Sequence, residues 1–293
     1  MKQDIKHIID RLCIPVIILC LFSIDSINAQ IIYSKVDSLV CVEYLNSLER
    51  YKEKPINEIF TQTAKYFLGK PYIASTLDRS ETEKLTINLR EFDCTTLVES
   101  CIALSETVVS NNPTFESFCN KLKRIRYRND TIEDYASRLH YVLDWMFENR
   151  DILKDISPEL GGEPESKLIN FMSTHVSAYP QLTKNNILQK KIKKVESSLN
   201  KRGGYYVINK QSIHKIENKI QNGDIIVFST SIAGLDFSHI GIAYRNEKHL
   251  TFIHASSAKG KVIVEPLSLS DYCKKSSKCN GIVVLRLYNK TYL

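Results

Sequence analysis

The sequence predicts an α+β fold, with helices in the first half of the chain and an antiparallel sheet in the last third. Two observations support this prediction. Before residue 150, apolar residues recur at steps of three and four, as they do on one face of a helix. After residue 222, short apolar segments are separated by polar turns, as in antiparallel strands. Because the helices precede the strands rather than alternate with them, the helices and the sheet are expected to form separate layers, as in α+β proteins.

The chain begins with the features of an export leader. Basic residues among the first eleven precede an apolar run at 12–22, and Ala29 is a small residue suited to cleavage before Gln30. The run is shorter than the roughly 20 apolar residues that span a bilayer. We therefore predict a signal peptide over residues 1–29, with an uncleaved anchor as the alternative. The mature protein is expected in the periplasm, without stable insertion in the membrane.

Composition places the remaining chain among ordinary globular proteins. The sequence is 43% hydrophobic and 25% charged, and its net charge of +7 suits an acidic polymer as a partner. No stripe of arginines and aromatic residues appears, which argues against nucleic-acid binding. We predict a single domain over residues 30–293, with a helical N-terminal extension and an insertion at about 151–222. We expect a monomer that needs no cofactor.

Helical periodicity dominates the first half. It is interrupted at 85–89, where apolar and polar residues alternate as in a strand. Gly69 and Pro71 end the second helix, because neither residue continues a helix well. The predicted helices cover residues 36–51, 55–68, 95–109, 115–125 and 135–149.

The middle of the chain is irregular apart from one basic helix around residues 188–199. Lysines cover most of its surface, and we interpret them as a solvated face rather than a polymer-binding site. Turn residues then separate five strand-like segments. The predicted strands cover residues 224–228, 238–244, 250–254, 261–265 and 281–288.

Cys94 lies where a polar turn leads into an apolar helical pattern. Thr95 and Thr96 follow it, and both suit a first helical turn better than a helix interior. The free N–H groups and the positive dipole end of a helix stabilise a thiolate. The same N–H groups can bind the oxyanion of a tetrahedral intermediate. These features make Cys94 a candidate nucleophile.

Five other cysteines follow the leader. Cys101 lies seven residues after Cys94 and is expected on the buried side of the same helix. Cys273 and Cys279 flank a short polar loop and are the expected disulfide pair in an exported protein. No CxxC or CxxH spacing occurs, so the sequence predicts no metal site.

Two histidines lie in neighbouring strand-like segments separated by a polar turn at 246–247. A hairpin that turns there pairs His239 directly with His254, with both side chains on one face. His239 would act as the base in a thiolate–imidazolium pair with Cys94, and His254 would orient it. Gly241 would leave that face open for a substrate or for the Cys94 helix. A thiol at a helix start and a later strand-borne histidine form the plan of papain-like cysteine hydrolases.

Several segments resemble the NlpC-type cell-wall cysteine peptidases, and most closely the subfamily described as N-acetylmuramoyl-L-alanine amidase-like. The resemblance covers about residues 56–293 and includes YASRLHYVLDWM at 135–146. Thr95-Thr96 stands where most relatives have Ser-Gly, which favours the subfamily. The segments that carry the resemblance are GKPYIASTLD, FDCTTLVES, NGDIIVF, DFSHIGIAY and FIHASSAKGKVIVEPLS.

The resemblance implies a papain-like α+β fold with a catalytic triad of Cys94, His239 and His254. It also implies that Tyr72 lies beside the nucleophile in the substrate groove. Asp93 matches an acidic residue that many relatives use to hold the free amine of a stem peptide. Ser238, next to the base, is a further candidate for substrate binding.

The 135–146 segment offers groups that suit a muramic sugar. Arg138 can pair with a lactyl or peptide carboxylate, and aromatic rings such as Tyr135 can stack on a sugar. His140 is a further substrate-binding candidate. A structural ion pair made by Arg138 is the alternative interpretation.

The function that these features predict is an exported cysteine amidase. It would cut the amide between N-acetylmuramic acid and L-alanine in peptidoglycan or muropeptide fragments. The alternatives are an endopeptidase that cuts the stem peptide after D-glutamate, an acyltransferase, and a non-enzymatic cell-wall-binding module.

Overall fold

The computed structural model describes residues 31–288. The predicted leader lies outside the described residues. The first part of the described chain is mostly helical, as the sequence predicts. In chain order its elements are β1 (Ile31–Ile32), α1 (Lys35–Leu48), α2 (Ile56–Tyr66), β2 (Leu85–Thr86), α3 (Cys94–Val108), α4 (Phe115–Arg126) and α5 (Val142–Glu148).

The rest of the chain contributes most of the strands. Its middle part contains β3 (Leu153–Asp155), β4 (Glu163–Glu165), α6 (Phe171–Thr174), α7 (Pro180–Thr183), α8 (Asn186–Arg202), β5 (Tyr205–Asn209) and α9 (Ile213–Ile216). The last part contains β6 (Ile225–Thr230), β7 (Phe237–Arg245), β8 (Leu250–Ser256), β9 (Lys261–Val264), α10 (Leu269–Lys275) and β10 (Cys279–Leu287). Single 3-10 turns lie at Glu49–Tyr51, Thr76–Asp78, Arg128–Asp130, Tyr135–Ser137, Pro158–Leu160, Val176–Ala178 and Glu217–Lys219.

The main sheet has eight strands in the order β4-β5-β10-β6-β7-β8-β9, with β3 on a second part of β10. Every pairing in this sheet is antiparallel, whereas β1 and β2 form a small parallel pair elsewhere. The α+β class predicted from the sequence is confirmed. Strands β3, β4 and β5 come from the segment predicted as an insertion, so that segment extends the main sheet. No helix among residues 31–288 has the length and apolar character needed to cross a membrane.

Helix α3 is the centre of the core. Every residue of it from Thr96 to Val108 is buried, and it packs against α2, α4, β7 and β8. Residues such as Ile240 and Ile253 belong to the same apolar cluster as this helix. Phe228 and Phe252 belong to a second cluster with α10. The sheet is therefore covered on both faces, because strand residues alternate between them.

Two local predictions are wrong. The predicted helix over 135–149 begins only at Val142, after a 3-10 turn and an extended stretch. The stretch is extended because Arg138 pairs with Tyr127 in a β-bridge and Leu139 donates to the carbonyl of Arg126. The predicted strand over 85–89 is two residues long, at Leu85–Thr86.

The middle segment has a small apolar cluster of its own, which packs on the start of the 135–146 segment. Tyr141 links the two parts, because its hydroxyl donates to buried Glu196 of α8 at 2.7 Å and accepts from the backbone of Met172 at 2.9 Å. The lysines of α8 are exposed, in agreement with the predicted solvated face. The cluster consists of Tyr135, Ala136, Tyr141, Ile169, Met172, Leu182, Ile192 and Leu199.

Candidate active site

Cys94 is the first residue of α3, and the start of that helix is firmly capped. The carboxylate of Asp93 accepts from the backbone of Thr96 at 2.8 Å, and the Thr96 hydroxyl accepts from the backbone of Asp93 at 2.9 Å. This reciprocal pair is a capping box, which defines where the helix begins. The N–H groups of a first helical turn have no partner within the helix. The thiol therefore lies at the positive end of a rigid, buried helix, as the sequence predicts.

The surroundings of Cys94, which is half-buried, favour its neutral thiol. Burial raises its pKa to about 11, and the charge of Asp93 acts in the same direction. The hydroxyl and the backbone N–H of Thr95 and the backbone N–H of Ile240 lower the pKa, but they do not offset burial. The contact with Ile240 is informative, because that residue directly follows His239. It places the sulfur against the backbone of the strand that carries the candidate base.

His239 and His254 lie on the neighbouring strands β7 and β8. His239 Nε2 and His254 Nδ1 are 2.7 Å apart, and the ring centroids are separated by 4.9 Å. The two rings therefore share a hydrogen bond and one face of the sheet, as predicted. Their predicted direct pairing is wrong.

The register differs from the prediction by two residues. Ala243 pairs with Phe252, and Arg245 pairs with Leu250, so the turn contains four residues rather than two. Its residues are held by the side chain of Asn246, which accepts from the two backbone N–H groups that follow at 248 and 249. A shift by an even number of residues keeps every side chain on its face. The histidines consequently meet on a diagonal.

Burial also keeps both imidazoles neutral. It lowers the pKa of His239 to about 4. It lowers the pKa of His254 to about 3, and the charge of His239 adds to this shift. These directions favour a neutral thiol beside a neutral imidazole over the predicted thiolate–imidazolium pair with Cys94.

Gly241 has a different role from the predicted one. A Cβ atom at this position would lie 2.7 Å from Cδ2 of Phe252 and 3.3 Å from Cβ of His254. Real Cβ atoms do not approach a neighbour that closely. The space beside Gly241 is thus filled by these two side chains, and not by α3 or a substrate.

The histidine pair has neighbours that the sequence analysis missed. Rings of Phe252 and Tyr272 lie 4.6 and 6.0 Å from the ring of His254. Burial raises the pKa of Tyr272 to about 12, and the charges of Glu265 and Cys94 add to the shift. Glu265 Oε2 lies 3.4 Å from His254 Nε2. The signal for Glu265 was a lone carboxylate in the apolar run VIVEP, whereas Tyr272 had no signal beyond its residue type.

Tyr72, Asp93 and Ser238 are placed next to the site. Burial raises the pKa of Tyr72, and the charges of Cys94 and Asp93 raise it further. Because such charges act over short distances, the ring of Tyr72 lies close to the nucleophile. Asp93 is half-buried and uses Oδ1 in the helix cap. Ser238 is exposed and adjoins His239 on β7, where the pairing with β6 is irregular and leaves Ser238 without a partner residue.

Arg138 is committed to internal partners. It forms ion pairs with Asp78 and with Glu83, and its Nε is 3.4 Å from Glu83 Oε1. Its guanidinium carbon lies 4.9 Å from the centroid of the Tyr135 ring. His140 Nε2 is 2.7 Å from the backbone oxygen of Tyr135, and burial lowers the pKa of His140 to about 3. These contacts match the structural ion pair that was the alternative interpretation of Arg138.

All six cysteines among residues 31–288 are free thiols, so the predicted disulfide between Cys273 and Cys279 is wrong. The two thiols are nevertheless adjacent. The hydrogen bond between them raises the pKa of Cys273 and lowers that of Cys279. Cys101 is fully buried, as predicted. In the described part of the chain, no group of three or more histidine, cysteine or acidic residues is arranged to hold a metal ion.

Comparison with known proteins shows the family to which this chain belongs. Residues 62–282 match the family described as N-acetylmuramoyl-L-alanine amidase-like. A crystal structure named N-acetylmuramoyl-L-alanine amidase, from Bacteroides uniformis, is 34% identical with a TM-score of 0.74, over 80% of this chain and 99% of that one. A Bacteroides fragilis structure, provisionally named a xylanase, is 35% identical with a TM-score of 0.71, over 77% of this chain and 99% of that one.

A more distant relative shares the fold. The Legionella pneumophila protein LPG0564 is 23% identical with a TM-score of 0.66, over 85% of this chain and 94% of that one. Among curated proteins, none matched. The family match covers most of the chain and coincides with the part that contains Cys94 and both histidines. The chain therefore belongs to the N-acetylmuramoyl-L-alanine amidase-like family.

Proposed function

We propose that this protein is an exported, papain-like cysteine amidase that cuts the bond between N-acetylmuramic acid and L-alanine in peptidoglycan fragments. One observation carries the proposal. Cys94 begins a buried helix packed on β7 and β8, and those strands carry the hydrogen-bonded pair of His239 and His254. A nucleophile, a base and a residue that orients the base are the minimum set for acyl transfer through a covalent intermediate.

The first half of the reaction forms a thioester. His239 Nε2 is occupied by His254, so Nδ1 is the nitrogen that takes the proton from Cys94. The sulfur then bonds to the carbonyl carbon of the lactyl group, and the carbonyl oxygen becomes an oxyanion. Backbone N–H groups at the start of α3 would donate to it. The imidazolium of His239 gives its proton to the nitrogen of L-alanine, and the C–N bond breaks.

The second half releases the sugar. Water enters once the peptide has left, and His239 Nδ1 takes one of its protons. The hydroxide attacks the thioester carbon, and the C–S bond breaks. His239 returns its proton to the sulfur, which restores the thiol of Cys94, and the lactyl acid loses its proton to solvent and leaves as a carboxylate. His254 keeps the ring of His239 in one orientation throughout.

Two observations favour this substrate over the alternatives. Asp93 holds the start of α3 through Oδ1, a role in the fold that does not depend on the free amine required by the endopeptidase alternative. A glycosidase, as the name of the Bacteroides fragilis relative implies, needs two carboxyl groups that flank the scissile bond. The site instead brings one thiol to the strands that carry two imidazoles, a set that suits acyl transfer. The related structure from Bacteroides uniformis is named for the amidase activity.

Mass spectrometry of muropeptides tests the proposal. The purified protein should release an intact stem peptide and a free muramic sugar. Cys94→Ala should abolish release, whereas Cys101→Ala, a change to a buried cysteine of the same helix, should mainly lower stability. A shortened stem that stays on the sugar would establish the endopeptidase instead. Full activity in Cys94→Ala would exclude the thiol as the nucleophile.

Export is part of the same proposal and has a separate test. The basic start, the apolar run at 12–22 and Ala29 form the expected leader. The protein recovered from the periplasm should begin at Gln30 when its N-terminus is sequenced. An intact leader on a membrane-bound product would support the anchor alternative.

A further inference from the structure

The ring of His254 is enclosed between two partners. Nδ1 faces His239, and Nε2 lies 3.4 Å from Oε2 of Glu265. The side chains of His254 and Glu265 are only 2% and 10% exposed. Within the described part of the chain, His254 Nε2 has no hydrogen-bond partner, and the contact with Glu265 falls short of hydrogen-bond geometry. A buried imidazole nitrogen needs a partner, and the carboxylate is the acceptor within reach.

Glu265 is held so that one oxygen remains for His254. It directly follows β9, and its backbone N–H donates to Phe252 at 2.9 Å. Its backbone oxygen accepts from the hydroxyl of Thr251 at 2.6 Å. Its Oε1 accepts from the backbone of Leu267 at 3.1 Å. Three contacts thus fix the residue, and Oε2 lies 3.4 Å from His254 Nε2.

A hydrogen bond to Glu265, formed by closing the 3.4 Å contact, would dictate which ring nitrogens carry protons. A carboxylate only accepts, so His254 must carry its proton on Nε2 to donate to Glu265. Nδ1 of His254 is then an acceptor, and His239 must donate to it from Nε2. Nδ1 of His239 is consequently unprotonated, which is the state that a base for Cys94 requires.

We propose that Glu265 is a positioning residue that selects the tautomer of His254 and, through it, the tautomer of His239. The proposal rests on the proposed function only in taking His239 as the base. No proton is transferred to Glu265; the proton of the thiol stops at His239 Nδ1. Because burial lowers the pKa of His254 to about 3, the carboxylate accepts from a neutral ring and does not form an ion pair with it.

An amide at position 265 distinguishes this role from simple structural support. The side chain of glutamine has one oxygen and one NH₂ group. Leu267 needs the oxygen, so the NH₂ group would face His254 Nε2 and donate to it. His254 would then donate from Nδ1, and His239 would carry its proton on Nδ1, where it cannot act as a base. Alanine imposes neither tautomer.

The test combines Glu265→Gln and Glu265→Ala with Asp224→Asn as a matched control. Asp224 is also a buried carboxylate of the sheet, and it pairs with Arg286 instead of a histidine. The first readout is the nitrogen chemical shifts of the imidazoles in the resting protein, which report the tautomers. The second is the rate of alkylation of Cys94 by iodoacetamide, with thermal unfolding of each variant. Neither readout needs a muropeptide.

The wild-type protein should show protons on Nε2 of both His239 and His254. Alkylation should slow roughly tenfold in Glu265→Ala, as expected for the loss of one hydrogen bond to a charged group. It should slow on the order of 100-fold in Glu265→Gln, because a wrong tautomer removes the base. The control should keep the wild-type tautomers and rate.

Three results would overturn the proposal. One is a proton on Nδ1 of His254 in the wild-type protein. This measurement does not depend on whether any variant folds. Another is a wild-type alkylation rate in Glu265→Gln. The third is an alkylation rate that falls in proportion to the thermal stability of each variant, with Glu265→Ala slower than Glu265→Gln. A different result would contradict the proposed function and leave the role of Glu265 intact. In that result, the wild-type protein shows the proposed tautomers, but iodoacetamide does not alkylate Cys94.

Discussion

Replacing Arg138 by alanine separates substrate recognition from support of the fold. The sequence suggested a group that recognises a carboxylate of the substrate. In the structure its side chain is 7% exposed and is paired with Glu83, which is 5% exposed, and with Asp78, which is 25% exposed. Removal of one partner from a buried pair leaves an uncompensated charge and costs about 3–5 kcal/mol. The melting temperature should fall by about 6–20 °C, at about 2–4 °C per kcal/mol for a domain of this size.

The assay compares three quantities in Arg138→Ala: the melting temperature, kcat/KM on a muropeptide, and the alkylation rate of Cys94. A structural role lowers stability and affects both rates alike, since the whole site loosens. A double variant that combines Arg138→Met with Glu83→Gln removes the stranded charge. It should recover part of the stability, because apolar or neutral replacements of a buried ion pair are tolerated.

The reasoning would be refuted by a selective effect. If Arg138→Ala keeps its melting temperature and alkylation rate but loses roughly tenfold to a hundredfold in kcat/KM on muropeptides, the guanidinium contacts the substrate. The double variant would then recover no activity. In that case Asp78 and Glu83 hold Arg138 for the substrate, and the prediction made from the sequence stands.

Three further predictions concern the histidines and their neighbours. Gly241→Ala should destabilise the protein by about 1–3 kcal/mol and slow alkylation of Cys94, because the new Cβ meets Phe252 at 2.7 Å and displaces His254. Phe252→Leu in the same chain should restore part of the rate, and wild-type behaviour of Gly241→Ala would show that the contact is not tight. The pH profile of kcat/KM should be a broad plateau with limbs near 4, from His239, and near 11, from Cys94. Burial lowers the pKa of His140, His239 and His254 below 6.5 in the folded protein, so the unfolded chain takes up protons first as the pH falls. The free energy of unfolding should therefore be highest above pH 6.5 and should decrease as the pH falls towards 3. An upper limit set by a thiol that titrates near ~8.5 would contradict a buried, neutral thiol.

The candidate site shows where sequence patterns suffice. Cys94 was predicted at a helix start, because a polar turn, two threonines and an apolar periodicity are all local signals. The common face of His239 and His254 was also predicted, since side chains alternate along a strand with a period of two. An error of two residues in the register left that result intact.

Other features depend on partners that are distant in the sequence. The register is an exception, because Asn246 holds the four-residue turn through backbone N–H groups only two and three residues away, a local contact that the sequence analysis did not use. The protonation of the site was set by burial, which no residue determines alone: packing on both faces of the sheet raises the pKa of the Cys94 thiol and lowers that of His239. Local patterns cannot report such desolvation.

The sequence by itself determined the α+β class, the helix that begins at Cys94 and the face shared by the histidines, because each follows from a short-range period or cap. Only the tertiary structure decided which charges meet. Arg138 lies 60 residues from Asp78 in the chain, and its ion pairs arise from the extended stretch that replaces a predicted helix. Glu265 faces His254 because β8 and β9 are neighbours in the sheet. Hydrogen bonds and ion pairs act over a few ångströms, so the folded chain alone decides which of these groups come within reach of each other.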